Sequence, residues 1–388
     1  MKRPLKRNIL EKANLKIIIS GGGTGGHVFP AIAIADALKK LKPGADILFV
    51  GAKGKIEMEK VPAAGYPIKG LWISGFHRQL TLRNLAFPLK VASSLWQSRQ
   101  IIREFKPDVA VGVGGFASGP ILRAAAHQGI PTLIQEQNSY AGVTNRLLSR
   151  NADRICVAYE KMEQYFPAEK IALTGNPVRK DLVSSQADKS AAAVHFGLDP
   201  GKPTVFVFGG SLGALSINEA MEANAGLLAE HPEIQVLWQV GKLYQERFGA
   251  GQTAALPNVQ VRPFIDRMDL AYSLADLVVC RAGALTIAEL QLLGKPAILI
   301  PSPNVAEDHQ TKNARALVEK DAAVMLPNKD AAESIIRKSL DLLNDPEKRA
   351  LLSGNMLKMA KPDAAEEIAR MVVGLGEGRG ERVREVSG

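Results

Sequence analysis

Apolar residues along this chain fall into two patterns. Short β-branched runs alternate with longer stretches whose apolar positions recur three and four residues apart, the periods of strand and helix. The first run, Lys16 to Ile19, ends in Ser20 and GGGTGGH, and Pro30 and a helical stretch follow. Further strands are predicted at 45–51, 66–74, 107–115, 131–137 and 153–159, with helices between them, the longest from about Leu82 to Phe105. At LTGNPVRKDLVSSQADKS (173–190) glycine, proline and then polar residues break the pattern, as in a linker. The alternation then restarts, with strands at 203–210, 234–241, 258–264, 277–283, 296–303 and 322–328, and helix over 330–373. Strand and helix in strict alternation predict βαβ units and parallel sheets. The expected fold is α/β, with Rossmann-like domains at 15–178 and 190–373. Each opens with a strand, a glycine turn and a helix. Ligands of such sheets bind outside the carboxyl ends of the strands. Two of them facing each other across a cleft suit transfer from a nucleotide-bearing donor to a separate acceptor.

At 388 residues two domains are favoured over one, and 46% hydrophobic with 23% charged residues is ordinary for a globular chain. The formal charge of +10 attracts nucleic acid, anionic membrane surfaces or phosphorylated substrates. Aromatic residues make up 5% and form no stacking motif, which puts nucleic acid last. Cys156 and Cys280 lie in apolar runs that suit a reducing compartment. The basic first residues lack the apolar centre of a signal peptide, and no apolar stretch is long enough to span a bilayer. A cytoplasmic location is expected.

Gly21, Gly23 and Gly26 satisfy G-x-G-x-x-G. The second strand nevertheless ends ILFVGAKGK, with no carboxylate for a ribose, which disfavours NAD. A tight turn and nothing more is the plain alternative. His27 stands at the mouth of the turn, either as a proton acceptor or as a helix-start residue bonded to its own backbone. Glu136 and Asn138, at the end of a later strand, could hold sugar hydroxyls or serve as loop and cap residues. GGSLGA (209–214) fits a diphosphate cradle around Ser211 and its neighbouring N–H groups. It also fits the nucleophile elbow of a serine hydrolase, for which only His231 and His309 lie downstream. Thr286 and Glu289 have the spacing of a capping box, while Glu289 could instead accept from a ribose diol. Gln310 could hold a sugar hydroxyl, and Asp308 could cap a helix. Residues 70–105 mix Trp72, Phe76, Leu80, Phe87 and Trp96 with Arg78, Arg83, Lys90, Arg99 and Arg103, as a helix lying on anionic lipid would. An ordinary core helix is the alternative, and for Trp96 the preferred one. No D-x-D, H-E-x-x-H or C-x-x-C occurs, so no pattern requires a bound metal, and no cofactor is expected.

Taken in order, GGGTGGHVFPAIAIADAL, GVGGFASGP, QEQNSYAGVTNRLL, TGNPVR, FGGSLGA, FIDRM, CRAGALTIAEL and EDHQTKNA run across residues 20–314. Together they resemble the glycosyltransferases that make lipid II in bacterial cell-wall synthesis. The resemblance implies a GT-B fold and an inverting, metal-independent transfer. The donor would be UDP-N-acetylglucosamine and the acceptor undecaprenyl-diphosphate-linked N-acetylmuramyl pentapeptide (lipid I). The enzyme would sit peripherally on the cytoplasmic face of the inner membrane, with cell-wall synthesis proteins as partners. It implies that Thr24, Gly25 and Gly26 border the donor sugar and the acceptor diphosphate, and that Asn138 touches the sugar. Arg179 and Ser211 would reach the diphosphate, and Ile265 the uracil. Ala284, Leu285, Thr286, Ile287, Ala288 and Glu289 would wrap the nucleoside, Gln310 would hold the sugar, and His27 is the candidate base. One departure stands out: the family usually reads HEQN where this chain has Gln135-Glu136-Gln137-Asn138, so position 135 has no histidine role.

Overall fold

The computed structural model describes residues 14–74, 87–178 and 188–378. Two compact units emerge. The first comprises residues up to Gln137, Ala141–Pro177 and the segment from Asp363 onward; the second comprises Asn138–Tyr140 and Val178–Pro362.

Unit one holds a seven-stranded sheet of β1 (Lys16–Ser20), β2 (Asp46–Ala52), β3 (Ile68–Leu71), β4 (Val109–Gly112), β5 (Thr132–Glu136), β6 (Arg154–Val157) and β7 (Ile171–Leu173). Their order is β3-β2-β1-β4-β5-β6-β7, and every adjacent pair is parallel. Its helices are α1 (Gly25–Leu41), α2 (Glu57–Ala63), α3 (Phe87–Phe105), α4 (Ser118–His127) and α5 (Val143–Leu148). Ile17, Ile18 and Ile19 are all fully buried, because a parallel sheet is covered on both faces. For the same reason strand runs here read as unbroken apolar stretches rather than alternating ones.

Unit two holds β8 (Thr204–Phe208), β9 (Gln235–Gln239), β10 (Val259–Arg262), β11 (Leu277–Cys280), β12 (Ala297–Leu299) and β13 (Val324–Met325), ordered β10-β9-β8-β11-β12-β13 and again all parallel. Around them lie α6 (Lys189–Phe196), α7 (Leu215–Ala223), α8 (Ala225–Ala229), α9 (Gln245–Phe248), α10 (Met268–Leu274), α11 (Ala284–Leu293), α12 (His309–Val318), α13 (Ala331–Leu343) and α14 (Pro346–Lys358).

The last helix, α15 (Ala364–Gly376), joins unit one, although its place in the sequence put it with the second domain. Ile368, Ala369 and Val372 pack in the same core as Ile34, Ala35 and Leu38 of α1. The sequence shows that this helix has an apolar stripe but not which surface the stripe covers. Two other expectations shift. The strand predicted at 66–74 narrows to Ile68–Leu71, and the long helix is described from Phe87, its expected first turn lying outside the described residues. Half of the expected linker, 179–187, also lies outside them.

In each sheet the strand order reverses direction at one place, between β1 and β4 in unit one and between β8 and β11 in unit two. Loops leaving neighbouring strands there run to opposite faces and open a crevice for ligands. Register brings the strand ends level: Ser20 pairs with Gly112, and Phe208 with Cys280. Both glycine turns predicted from sequence lie at these points.

Candidate active site

At the switch point of unit one, the turn after β1 meets the loop after β4. Gly115 sits so close beneath the turn that a Cβ on it would lie 2.3 Å from the Gly22 carbonyl oxygen, and its φ of +87° suits glycine alone. Thr24 is the N-cap residue of α1, exposed, with no side-chain capping bond and no acidic residue in the first turn of the helix. The first N–H groups therefore face outward with the positive end of the helix dipole behind them.

His27 lies in that first turn, half-buried. Its Nδ1 is 3.1 Å from the Gly22 carbonyl oxygen and 3.5 Å from Thr24 Oγ1, and its Nε2 edge lies against Gly114. A carbonyl only accepts, so Nδ1 carries the proton and Nε2 the lone pair. Beneath the turn lies Glu57 of α2, wholly buried, whose Oε2 accepts the Gly23 N–H at 2.8 Å and whose Oε1 accepts the Ala52 N–H at 2.9 Å.

At the end of β5 the polar residues face inward. Gln135, Glu136 and Gln137 are all buried. Gln135 donates to Asn176 Oδ1 at 3.0 Å, and Gln137 donates to the Val113 carbonyl at 2.7 Å and to the side-chain oxygen of Gln135. Glu136 accepts from the Gly142 N–H at 3.0 Å and from Asn145 at 2.8 Å. Glu136 thus takes the loop-and-cap role rather than offering itself to a sugar.

In unit two the turn after β8 carries Ser211 exposed at its tip. Gly213 has φ +78°, and a Cβ there would lie 2.0 Å from the Val240 carbonyl oxygen. α7 then starts with no side-chain cap and no acidic residue in its first turn, and α11, after β11, starts the same way. Between these helix starts lies Arg281, half-buried. It donates to Ser216 Oγ at 2.6 Å, Asn328 Oδ1 at 2.7 Å, and the carbonyls of Ile300 and Pro301 at 3.0 and 3.1 Å. No carboxylate pairs with it among the described residues, and burial brings its pKa down to about 10. A guanidinium held this way lends its charge to the rim above it.

Asn313 of α12, fully buried, ties down the segment Asn138–Tyr140. Its Oδ1 accepts from the Ser139 N–H at 3.0 Å and Ser139 Oγ at 2.9 Å, and its Nδ2 donates to Asn138 Oδ1 at 3.2 Å and to the Ala282 carbonyl at 3.3 Å. Next to it, Lys312 Nζ lies 3.4 Å from the centre of the Tyr140 ring.

The chain has known relatives. Residues 17–157 match the glycosyltransferase family 28 N-terminal domain, and residues 204–368 match its C-terminal domain. The chain belongs to glycosyltransferase family 28. It is 55% identical over 362 residues, 93% of this chain and 97% of the other, to a protein of Cytophaga hutchinsonii named UDP-N-acetylglucosamine–N-acetylmuramyl-(pentapeptide) pyrophosphoryl-undecaprenol N-acetylglucosamine transferase. It is 52% identical to the Bacteroides fragilis protein of the same name, over 94% of this chain and 96% of that one. Among solved structures it resembles Acinetobacter baumannii MurG, with a TM-score of 0.72 and 31% identity over 92% of this chain and 99% of that one.

Within this family 28 chain the expected residues fall into two groups. Thr24, Gly25, Gly26 and His27 share one rim of unit one. Ser211, Ala284, Leu285, Thr286 and Gln310 stand in loops or helix starts at carboxyl edges of unit two, Glu289 lies in the middle of α11, and the side chains of Ile287 and Ala288 are buried. Ile265 is buried too, and its N–H donates to Gln239 Oε1 at 2.8 Å. Gln310 already accepts from the Ser302 N–H at 2.8 Å through Oε1. Arg179 lies outside the described residues.

Three alternatives from sequence resolve. The N-cap of α11 is Gly283, so Thr286 sits one turn too late to make a capping box; Glu289 instead accepts from the buried Tyr272 hydroxyl at 2.7 Å. Asp308 does hold the N-cap position of α12, but its carboxylate takes the Thr311 hydroxyl at 2.7 Å rather than a backbone N–H. Trp96 is 63% exposed, not core. As for a serine nucleophile, no histidine bonds to Ser211 among the described residues, and His231 Nδ1 is bonded to Glu233 at 2.7 Å. Sequence reading passed over Glu57, Tyr272, Arg281 and Asn313, whose roles lie in which neighbours the fold gives them. No three His, Cys, Asp or Glu side chains converge among the described residues.

Proposed function

We propose that this protein transfers N-acetylglucosamine from UDP-N-acetylglucosamine to undecaprenyl-diphosphate-linked N-acetylmuramyl pentapeptide, with inversion, converting lipid I to lipid II. The observation that carries the reading is full-length identity above 50% to transferases named for that reaction, in a chain whose two sheets each place a glycine turn at the switch point.

The acceptor sugar hydroxyl attacks the anomeric carbon of the donor from the face opposite UDP. As the new C–O bond forms, the bond to the diphosphate oxygen breaks and UDP leaves with the electron pair. The hydroxyl proton passes to His27 Nε2, the position left basic by the Gly22 hydrogen bond. Thr24, Gly25 and Gly26 border the sugar and the acceptor diphosphate, and Asn138, held by Asn313, contacts the sugar. Ser211, Arg179, Arg281 and the uncapped helix starts take the charge that develops on UDP, so the transfer needs no metal. Glu289 accepts from the ribose diol, the Ile265 carbonyl accepts from the uracil N3–H, and the Gln310 amide nitrogen donates to the sugar.

The enzyme works at a membrane surface. Leu89, Ala92, Trp96, Arg99 and Arg103 recur along one exposed stripe of α3, apolar toward its start and basic toward its end. Trp72, 46% exposed, lies beside it with Lys90 Nζ 5.9 Å from its ring centre. Residues 75–86, the remainder of the stretch singled out in sequence, lie outside the described residues. No described helix is long and apolar enough to cross a membrane. The exposed apolar and basic stripe would bind anionic lipid peripherally on the cytoplasmic leaflet, where lipid I is presented.

The test is UDP release from UDP-N-acetylglucosamine with a short-chain lipid I analogue in EDTA. Release that requires the acceptor and persists in EDTA is the expected result, and His27→Ala should remove nearly all of it. Release that ignores the acceptor would overturn the assignment, and release abolished by EDTA would overturn its metal independence.

A further inference from the structure

One buried charge is left unexplained by the reaction just described. Glu57 is fully buried, and no cation pairs with it among the described residues. Burying a carboxylate without a counter-ion is costly, and its surroundings are shaped to accept it. A Cβ on Gly22 would lie 2.2 Å from Glu57 Oε1, and one on Gly51 would lie 2.5 Å from its Cγ.

We propose that Glu57 is a positioning residue for His27 and acts through the single peptide group that joins Gly22 to Gly23. The N–H of that peptide donates to Glu57 Oε2 at 2.8 Å, and its C=O accepts from His27 Nδ1 at 3.1 Å. Carboxylate, peptide and imidazole therefore form one hydrogen-bonded line. A carboxylate pulling on the N–H polarises the amide and makes its carbonyl a stronger acceptor. This fixes the Nδ1–H tautomer and favours the imidazolium formed when Nε2 takes a proton, as a carboxylate bonded directly to histidine would. The Ala52 N–H on Oε1 keeps the carboxylate from turning away, and Gly115 packs against the far side of the Gly22 peptide.

Other groups near the ring are poor sources of the same effect. Thr24, Gly114 and Gln137 lie around it and do not titrate in the working range. On the adjoining elements, Glu136 is committed to Gly142 and Asn145, and Lys53 lies along Gly70. Lys55 belongs to the link between β2 and α2, and Asp36, farther along α1, accepts from Tyr66. Among the described residues, Glu57 is the side chain whose carboxylate is bonded to the N–H of the peptide that His27 uses.

The inference rests on His27 being the base of the proposed transfer, but it can be tested without substrate. The full chain, labelled with 15N-histidine, is followed by NMR through a pH titration, with His27→Asn to assign the signal. In the native protein the neutral ring is expected as the Nδ1–H tautomer. In Glu57→Gln the His27 midpoint should fall by about one pH unit, as expected for a charge removed across two hydrogen bonds. The acid limb of kcat/KM should move down with it, kcat should drop several-fold and the donor KM should stay unchanged. Two results would overturn the relay: an Nε2–H tautomer in the native protein, or a midpoint unmoved by the substitution even if the variant is less stable. If Glu57→Gln does not fold, the native tautomer decides alone. An inactive native enzyme with an intact tautomer and a shifted midpoint would count against the transferase reading and leave the relay standing.

Discussion

Replacing Tyr272 by Phe removes one oxygen atom from a side chain that is 1% exposed, and leaves the edge-to-face packing on Phe206, at 5.8 Å between ring centres, in place. The lost atom is the donor to Glu289 Oε2 at 2.7 Å. Burial, then the neighbouring Glu289 charge, hold the Tyr272 pKa well above its ordinary value, so the hydroxyl keeps its proton throughout the working range and always donates. A hydrogen bond to a charged acceptor contributes about 1.5–3 kcal/mol. Glu289 is half-buried, so water recovers part of that, and about 1.4 kcal/mol, or tenfold in affinity, is expected to remain as the cost of re-ordering the carboxylate for its ligand. Calorimetric titration with UDP measures this directly. The sharper comparison is with 2′,3′-dideoxyuridine diphosphate, which lacks the diol. Native protein should prefer UDP, and Tyr272→Phe should narrow the gap by weakening UDP while leaving the dideoxy ligand nearly untouched. Equal losses for both ligands, or none for UDP, would refute the idea that Tyr272 orients a ribose-binding carboxylate.

Three other outcomes follow from the same contacts. Gly115→Ala combines a φ of +87° with a Cβ 2.3 Å from the Gly22 carbonyl oxygen; it should cost about 3–5 kcal/mol in urea unfolding and abolish transfer. Asn313→Ala strands the Ser139 donors and the Ala282 carbonyl, and should cost about 2–4 kcal/mol, with Asn313→Asp no better because its second oxygen would face Asn138 Oδ1 and the Ala282 carbonyl. Burial pushes the Cys156 thiol from its ordinary value near 9 up to about 12, and Cys280 in the same direction. Iodoacetamide at pH 8 should therefore label neither until the protein unfolds. Because both thiols stay protonated longer in the folded state, their contribution to stability is complete below about pH 9 and is lost as pH climbs toward 12.

The architecture was legible because doubly covered parallel strands leave an unmistakable trace: TVFVF and LVVC hold no polar position inside the run beyond the leading threonine. The glycine turns were legible for a related reason, since a strand that ends in several glycines and restarts as a helix has few other readings. What escaped was partnership. EMEKVPA looks like a solvated helix, and nothing in those letters says that Glu57 turns inward under a glycine loop thirty-four positions earlier. Tyr272 reads as one more apolar residue of a helix until its hydroxyl is seen at Glu289. Trp96 illustrates the reverse case. A large aromatic at helical spacing implies a core face, yet the inward positions of α3 are Ser94, Ser98, Ile101 and Ile102. Small residues let that helix pack close to α4, and the tryptophan is left outside.

The membership of α15 in unit one bears on how the polypeptide is made. A ribosome delivers the seven strands of the first sheet before those of the second, yet Ile368, Ala369 and Val372, which share the core with Ile34, Ala35 and Leu38, are not synthesised until both sheets have all their strands. The second sheet has all six of its strands by Met325. The unit whose strands are made first is thus completed after the other, and in the interval a greasy strip of α1 waits uncovered. Nascent chains arrested shortly before codon 364 should bind chaperones that recognise exposed apolar surface, and should let go once that final helix has emerged.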